Sequence, residues 1–259
     1  MFESARDLIG SSPAMTALRR EVAIAARSNA KVIVTGESGA GKEITARMLH
    51  AASQRRGRPF RAINCSSIPD ELLESELFGH VRGSFTGAVR DHQGVFESAH
   101  GGTVLLDHIA DSSLRLQALL LRFLQFGEVQ KIGDDLTKHV DVRVVATAHG
   151  DLLDHVTAGE FRLDLYYRLN VIRIHVPPLR ERPEDIPVLL DCFMTQFSRQ
   201  YQLPSPPIGP DTMVWLKSYR WPGNVRELRN LAERFVVKTD AGGLDPAWLG
   251  AELEHAPAW

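Results

Sequence analysis

The chain has 259 residues, of which 44% are hydrophobic and 24% are charged, as in an ordinary globular protein of one large or two small domains. Its formal net charge of -2 lacks the basic excess on which nonspecific nucleic-acid binding depends. The chain has only two cysteines, Cys65 and Cys192, so no disulfide framework is implied and a location in the reducing cytoplasm is favoured. No apolar run predicts a signal peptide or a membrane span.

Helices and strands alternate in the first two thirds of the chain. Ser12-Pro13 predicts a helix start, because serine caps helix N-termini and proline fits the first helical position. Short apolar runs that end at glycine or at a polar residue predict buried strands. This alternation predicts an α/β fold with a parallel sheet covered on both faces. The predicted elements are a helix over 13–27, a strand over 31–35, a helix over 41–53, strands over 60–64 and 104–107, a helix over 113–126 stopped by Gly127, and strands over 142–146 and 171–176.

The pattern changes after Pro177-Pro178. Residues 184–201, 210–219 and 224–238 predict helices, and no strand pattern remains. We therefore predict a domain boundary near residue 178, with an α/β domain over 1–178 and a small helical domain over 179–259.

A glycine-rich loop lies between the first predicted strand and the next helix. Its glycines allow backbone amides to point at phosphate oxygens, and the helix N-terminus adds the positive end of its dipole. Lys42 is expected to reach the outer phosphates of ATP, although Glu43 stands where serine or threonine is usual. The alternative is a simple turn between strand and helix, but the position of the loop favours nucleotide binding. The loop is Gly36-Glu37-Ser38-Gly39-Ala40-Gly41-Lys42.

The strand predicted over 104–107 ends in Asp107. An aspartate at the carboxyl edge of a parallel sheet can hold the Mg²⁺ of a bound nucleotide, usually through water. Apolar runs that end in aspartate are common, so this prediction depends on the phosphate loop beside it.

Several longer segments resemble the central ATPase domain of the bacterial sigma-54-dependent transcription activators. The resemblance covers residues 8–240, and its most diagnostic part is the six-residue signature loop at residues 83–88, where Ser84 replaces alanine. The segments are Gly36-Glu37-Ser38-Gly39 with Gly41-Lys42-Glu43, Glu76-Leu77-Phe78-Gly79-His80, Gly83-Ser84-Phe85-Thr86-Gly87-Ala88, Phe161-Arg162, Leu165-Tyr166-Tyr167-Arg168-Leu169-Asn170-Val171, Pro178-Leu179-Arg180-Glu181-Arg182 and Trp221-Pro222-Gly223-Asn224-Val225-Arg226-Glu227-Leu228.

The resemblance implies an AAA+ fold, a doubly wound parallel sheet with a helical lid, and a ring, usually a hexamer, with ATP between subunits. It implies that ATP hydrolysis moves the signature loop, which contacts sigma-54 and remodels the closed complex of RNA polymerase and promoter. Phe85 is then the contact anchor and Thr86 a polar contact; an isolated phenylalanine would more often be buried under a turn.

The resemblance also assigns roles to three arginines. Arg162 and Arg168 resemble the arginine fingers that reach the ATP of a neighbouring subunit. Arg226 resembles the sensor arginine that reads nucleotide state within its own subunit. The plain alternative for all three is solvated surface charge or a weak ion pair.

Three departures from the family pattern fall where hydrolysis takes place. His108 stands where the family has the glutamate that polarises the attacking water, and Asn64 resembles the residue that holds this glutamate. The first sensor strand ends in Thr147-Ala148-His149 in place of Ala-Thr-Asn. Together these changes predict weakened ATP hydrolysis.

The sequence leaves two main functions open. One is an activator core that uses ATP to remodel polymerase, and the other is a hydrolysis-deficient subunit in a mixed ring with an active relative. A generic AAA+ ATPase with another client is disfavoured by the signature loop. The chain begins at the ATPase core and ends after Leu244-Asp245-Pro246, which predicts an excised core or a protein without its own DNA-binding domain.

Overall fold

The computed structural model describes residues 8–238. The sequence predictions about a signal peptide, about the last part of the helical domain and about a DNA-binding domain concern the chain ends and lie outside the described residues.

The observed elements follow the predicted order. The helices are α1 (Pro13–Ala26), α2 (Lys42–Ala51), α3 (Asp70–Phe78), α4 (Val95–Ser98), α5 (Leu114–Phe126), α6 (Leu152–Thr157), α7 (Leu163–Leu169), α8 (Ile186–Tyr201), α9 (Pro210–Ser218) and α10 (Asn224–Lys238). The strands are β1 (Val32–Thr35), β2 (Phe60–Asn64), β3 (Gly79–His80), β4 (His92–Gln93), β5 (Thr103–Asp107), β6 (Glu128–Gln130), β7 (Thr137–His139), β8 (Arg143–Ala148) and β9 (Ile172–His175).

Five of these strands form one sheet in the order β2-β5-β8-β1-β9, and every neighbouring pair is parallel. The predicted parallel α/β fold is therefore confirmed. Since all five strands run in one direction, their carboxyl ends meet at one edge, where polar groups from separate segments are brought together. The antiparallel pairs β3-β4 and β6-β7 lie outside this sheet.

The chain divides into two compact units. The first comprises residues 20–36 and 45–175 and contains the sheet. Its core is one cluster of buried apolar side chains, in which the rings of Phe96 and Phe123 stack with centroids 3.9 Å apart. Burying a side chain of this size contributes about 1.5–3 kcal/mol, so this cluster stabilises the face of the sheet on which α5 lies.

Helix α5 shows how the sequence sets local structure in this unit. The Ser113 hydroxyl accepts a hydrogen bond from the amide of Leu116 at 3.3 Å, which caps the helix N-terminus. Gly127 ends the helix in the left-handed conformation, with φ of 69°. The prediction that Gly127 stops this helix is confirmed.

The second unit is described over residues 8–19, 37–44 and 176–238. Its core contains buried side chains of α8, α9 and α10 together with Trp221, whose indole nitrogen donates to the Leu216 carbonyl at 2.9 Å. Ser12 caps α1 as predicted, accepting from the Met15 amide at 3.2 Å, while its own hydroxyl donates to Asp185 at 2.6 Å. Residues 37–44, which contain most of the glycine-rich loop, belong to this unit.

Candidate functional site

The glycine-rich loop has the backbone conformation that its glycines predict. Gly36, Gly39 and Gly41 all have positive φ, at 145°, 73° and 113°, a region that side chains rarely tolerate. Lys42 is the first residue of α2 and is buried, with 6% of its surface exposed. Its ammonium donates to the carbonyl of Glu37 at 3.0 Å, so the lysine folds back over the loop.

Side chains from residues 176–238 of the second unit, which also contains residues 37–44, form hydrogen bonds and an ion pair with this loop. Arg180 forms a two-pronged ion pair with the Glu37 carboxylate at 2.6 and 2.7 Å, which raises the pKa of Arg180 above its usual value. Arg226 donates to the Ser38 hydroxyl at 3.0 Å, so the predicted sensor arginine reaches the phosphate loop. The sequence identifies Arg180 only as part of the family segment at residues 178–182, and its contact with Glu37 was not predicted.

The carboxyl edge of the sheet brings Asn64 and Asp107 together. The two residues are register partners at the ends of β2 and β5. The hydroxyl of Thr147, which is fully buried on β8, donates to the Asp107 carboxylate and accepts the amide of His108 at 2.9 Å. The hydroxyl at position 147 therefore fixes both residues that follow the apolar part of β5.

His108 has the left-handed backbone conformation, with φ of 58° and ψ of 49°. Histidine adopts this conformation more readily than most residues with a side chain. Its ring nitrogen Nδ1 lies 3.7 Å from the Asp111 carboxylate and 3.5 Å from the Ser66 hydroxyl, and a third of its side chain is exposed. The imidazole is therefore turned toward polar neighbours of its own chain.

Asn64 is engaged by Ser66. Its amide oxygen accepts the Ser66 backbone amide at 2.9 Å and the Ser66 hydroxyl at 2.8 Å. Of the other departures from the family pattern, Ala148 is fully buried at the end of β8, whereas His149 is exposed. A methyl group at 148 has no hydrogen bond to offer the sheet edge.

The signature loop at residues 83–88 leaves the core. Phe85 is 39% exposed, and its ring meets His80 edge-on with centroids 4.9 Å apart. The loop is closed by a hydrogen bond from the Gly83 amide to the Ala88 carbonyl at 2.9 Å. Glycines at 83 and 87 have φ of 83° and 104°, which the tight turn requires. Thr86 is exposed beside the aromatic ring.

Both predicted arginine fingers have partners in their own chain. Arg162, just before α7, pairs with Asp164 at 2.7 Å, and this hydrogen bond lowers the pKa of Asp164. Arg168 donates to the carbonyl of Leu124 at 3.2 Å. Buried Gln117 accepts the Arg162 amide at 2.8 Å and so fixes the start of α7. Either guanidinium must exchange these contacts to reach a neighbouring subunit.

The donor set at the sheet edge suits magnesium more than a transition metal. Among residues 8–238, no three histidine, cysteine or carboxylate side chains gather as a metal cluster. Magnesium in nucleotide sites is held by one or two carboxylates, waters and the phosphates themselves, so Asp107 alone is compatible with it.

Within the described part of the chain, no helix has the combination of length and apolar composition that a membrane span requires.

A parallel sheet with a glycine-rich loop after β1 and an aspartate at the end of β5 is the arrangement of the P-loop NTPase class. The chain belongs to the sigma-54 interaction domain family, whose model matches residues 8–175, and the AAA+ ATPase lid domain model matches residues 180–258. The predicted AAA+ fold with a helical lid, and the predicted family, are thereby confirmed.

Relatives of established name share this region. The response regulator protein PilR of Pseudomonas aeruginosa is 50% identical over 250 residues, covering 96% of this chain and 56% of its own. The transcriptional regulatory protein ZraR of Salmonella typhimurium is 50% identical over 230 residues, covering 89% of this chain and 52% of its own. The chain thus spans about half the length of these relatives.

Solved structures agree with this assignment. NtrX from Brucella abortus in complex with ATP superposes with a TM-score of 0.86 at 39% identity, covering 94% of this chain and 56% of that chain. Its complex with ADP gives a TM-score of 0.87 at 39% identity, covering 94% of this chain and 55% of that chain.

Proposed function

We propose that this chain is the ATP-binding core of a cytoplasmic sigma-54-dependent activator, which remodels RNA polymerase carrying sigma-54 at promoters. The observation that carries the proposal is the signature loop, a glycine-bounded turn that presents Phe85 and Thr86 outside the core of a chain belonging to this family. We assign residues 1–178 to the ATPase domain and residues 179–259 to the lid.

The nucleotide site of this proposal is built around the phosphate loop. Residues 36–43 cradle the phosphates, and Lys42 neutralises the outer ones. Asp107 holds Mg²⁺, which supplies charge neutralisation for the phosphates when bound. Arg226 senses the nucleotide from the lid. The ATP and ADP complexes of NtrX support nucleotide binding by this chain.

Assembly into a ring, which the family resemblance implies to be a hexamer, completes the proposed ATPase. Arg162 and Arg168 lie at the two ends of α7. Arg162 forms an exposed ion pair with Asp164, and Arg168 donates to the carbonyls of Leu124 and Gln125. Exposed contacts of this kind are weak. A neighbour's triphosphate carries more charge than either present partner, so both arginines can exchange partners when subunits meet.

Phe85→Ala tests the proposed partner contact. We expect the variant to lose capture of sigma-54 in the presence of a transition-state analogue of ATP, by at least tenfold, because truncating an aromatic anchor removes the centre of the contact. Val89→Ala is the matched control, since Val89 is 80% exposed and follows the loop directly. Capture is measured by native gel shift, with ring formation followed by size exclusion.

The structure sets the result that would contradict this assignment. Phe85 is partly exposed and its ring contacts His80, so its removal should lower thermal stability only slightly and leave ring size unchanged. A variant that melts early or fails to assemble would make Phe85 a structural residue, and a variant that still captures sigma-54 would remove the loop from the interface.

A second candidate is a hydrolysis-deficient subunit that acts in a mixed ring with an active relative. The position of His108 favours this candidate. The His108 imidazole lies near Ser66 and Asp111, at the position where the family resemblance places the carboxylate that polarises water. Phosphate release by the chain alone, and then with a conventional activator added, separates the two functions. Activity of the chain alone supports the first, and activity that requires the added relative supports the second.

A further inference from the structure

The backbone carbonyls of the phosphate loop are held by donors from the helical unit. Asn224, the first residue of α10, donates its amide to the Ser38 carbonyl at 3.0 Å and to the Glu37 carboxylate at 3.1 Å. Arg182 donates to the Ala40 carbonyl at 2.9 Å. Both donors are buried, with Asn224 at 0% and Arg182 at 2% exposure; the Arg182 bond is itself buried, and the two Asn224 bonds are partly buried.

Peptide geometry converts these contacts into an orientation of the amides. A trans peptide is planar, and its carbonyl and the amide of the next residue point in opposite directions. When Asn224 holds the Ser38 carbonyl on one side of the loop, the Gly39 amide points to the other side. Arg182 has the same effect on the Gly41 amide through the Ala40 carbonyl. Amides turned away from the lid side chains are the groups that a phosphate cradle uses.

The backbone before Asn224 packs closely against the loop at Gly39. A side chain added at Gly39 would place its Cβ 2.3 Å from the Gly223 carbonyl oxygen, which is closer than any real contact. Gly223 directly precedes Asn224, whose φ of 53° is left-handed and whose amide oxygen accepts the Leu179 amide at 2.8 Å. The bond from Leu179 therefore fixes the amide oxygen of Asn224, while its amide nitrogen donates to the loop.

We propose that Asn224 and Arg182 are positioning residues of the nucleotide site, which set the Gly39 and Gly41 amides toward the phosphates of ATP. This inference rests on the proposed binding of nucleotide by residues 36–43. Neither residue is required to touch the nucleotide, because each acts through a backbone carbonyl on the far side of the loop.

Asn224→Asp is the most selective test. Aspartate has nearly the same shape, tolerates the left-handed conformation and still accepts the Leu179 amide, but it cannot donate to Ser38. We expect ATP affinity, measured by titration calorimetry with Mg²⁺ present, to fall at least about tenfold, because the Ser38 carbonyl loses its donor and the bond to the Glu37 carboxylate is lost with it. Arg229→Ala is the matched lid control, since Arg229 covers the Phe197 ring and is not one of the loop's donors.

A second substitution separates positioning from stability. Asn224→Asp also places a new carboxylate beside the Glu37 carboxylate, and the two repel each other. Glu37→Gln removes this repulsion, because the glutamine amide can donate to the new carboxylate. The double variant should recover melting temperature, yet it still lacks a donor to the Ser38 carbonyl. We therefore expect it to bind ATP about tenfold more weakly than Glu37→Gln alone.

Three results would overturn this inference. They are equal ATP affinity of the double variant and Glu37→Gln, normal affinity of Asn224→Asp, or a double variant that remains unfolded, which would make the carbonyl contact purely structural. Lys42→Ala distinguishes the underlying proposal. If that variant still binds ATP, the phosphate cradle itself is misassigned, whereas its loss of binding beside a normal Asn224→Asp refutes only the positioning role.

Discussion

Lys42→Ala is expected to leave no measurable ATP affinity. Lys42 begins α2, and its ammonium already lies over the loop, 3.0 Å from the Glu37 carbonyl. Each hydrogen bond to a charged group contributes about 1.5–3 kcal/mol, so the loss of the cation that we propose for the outer phosphates should weaken binding by at least about a hundredfold. Titration calorimetry with ATP measures the loss.

The control for this variant is Lys217→Ala, which removes an exposed lysine from α9. It should bind ATP with unchanged affinity, and the melting temperatures of both variants report whether either has unfolded. If folded Lys42→Ala bound ATP as tightly as the unmodified chain, the glycine-rich loop would be an ordinary turn between strand and helix.

His108→Glu is expected to raise ATP turnover. A positioned general base contributes about 10²- to 10⁴-fold, or roughly 3–5 kcal/mol of barrier, and the unmodified chain carries an imidazole where the family carries a carboxylate. A glutamate at position 108 is proposed to accept a hydrogen bond from the amide NH₂ of Asn64, whose amide oxygen is engaged by Ser66. The single change should recover only part of this range, because Ala148 and His149 still differ from the family pattern.

Thr147 explains why further changes are needed. Its hydroxyl accepts the His108 amide and donates to Asp107, which stabilises the left-handed turn at His108. Glutamate adopts the left-handed conformation less readily than histidine does. We expect the full gain only when Thr147→Ala, Ala148→Thr and His149→Asn accompany His108→Glu, because the hydroxyl then moves from position 147 to position 148.

The competing hypothesis makes His108 itself the working base. It predicts brisk turnover in the unmodified chain, which His108→Glu would not raise. Phosphate release, measured for the unmodified chain and for His108→Glu, decides between the two. Equal rates in both proteins would show that hydrolysis is not weakened.

The sequence predicted the large elements because their signals are local. The leucine-rich segment of α5 has a serine cap and a glycine stop, and the buried strands of the main sheet are continuous apolar runs. It did not predict the pairs β3-β4 and β6-β7, whose strands have two or three residues, since so few positions show no periodicity. Helices α3, α4, α6 and α7, with four to nine residues, were missed for a similar reason.

The candidate site was predictable to the extent that it depends on residue type and order. The phosphate loop and Asp107 could be read from a strand and the residues that follow it. The contacts from Asn224 and Arg182 could not, because they join segments more than 140 positions apart. The engagement of Asn64 by Ser66 and of Asp107 by Thr147 likewise depends on side-chain orientation, which a linear pattern does not encode.

The edge-on contact between Phe85 and His80 has a consequence for recognition. His80 is held in turn, by the Ser75 hydroxyl at 2.7 Å and by stacking against His92 at 5.4 Å between ring centroids. Aromatic pairs of this geometry contribute about 0.5–1.5 kcal/mol beyond burial. A partner that binds the Phe85 ring on the side that contacts His80 must displace this contact, so its apparent affinity is reduced by up to about tenfold unless the loop first releases the ring.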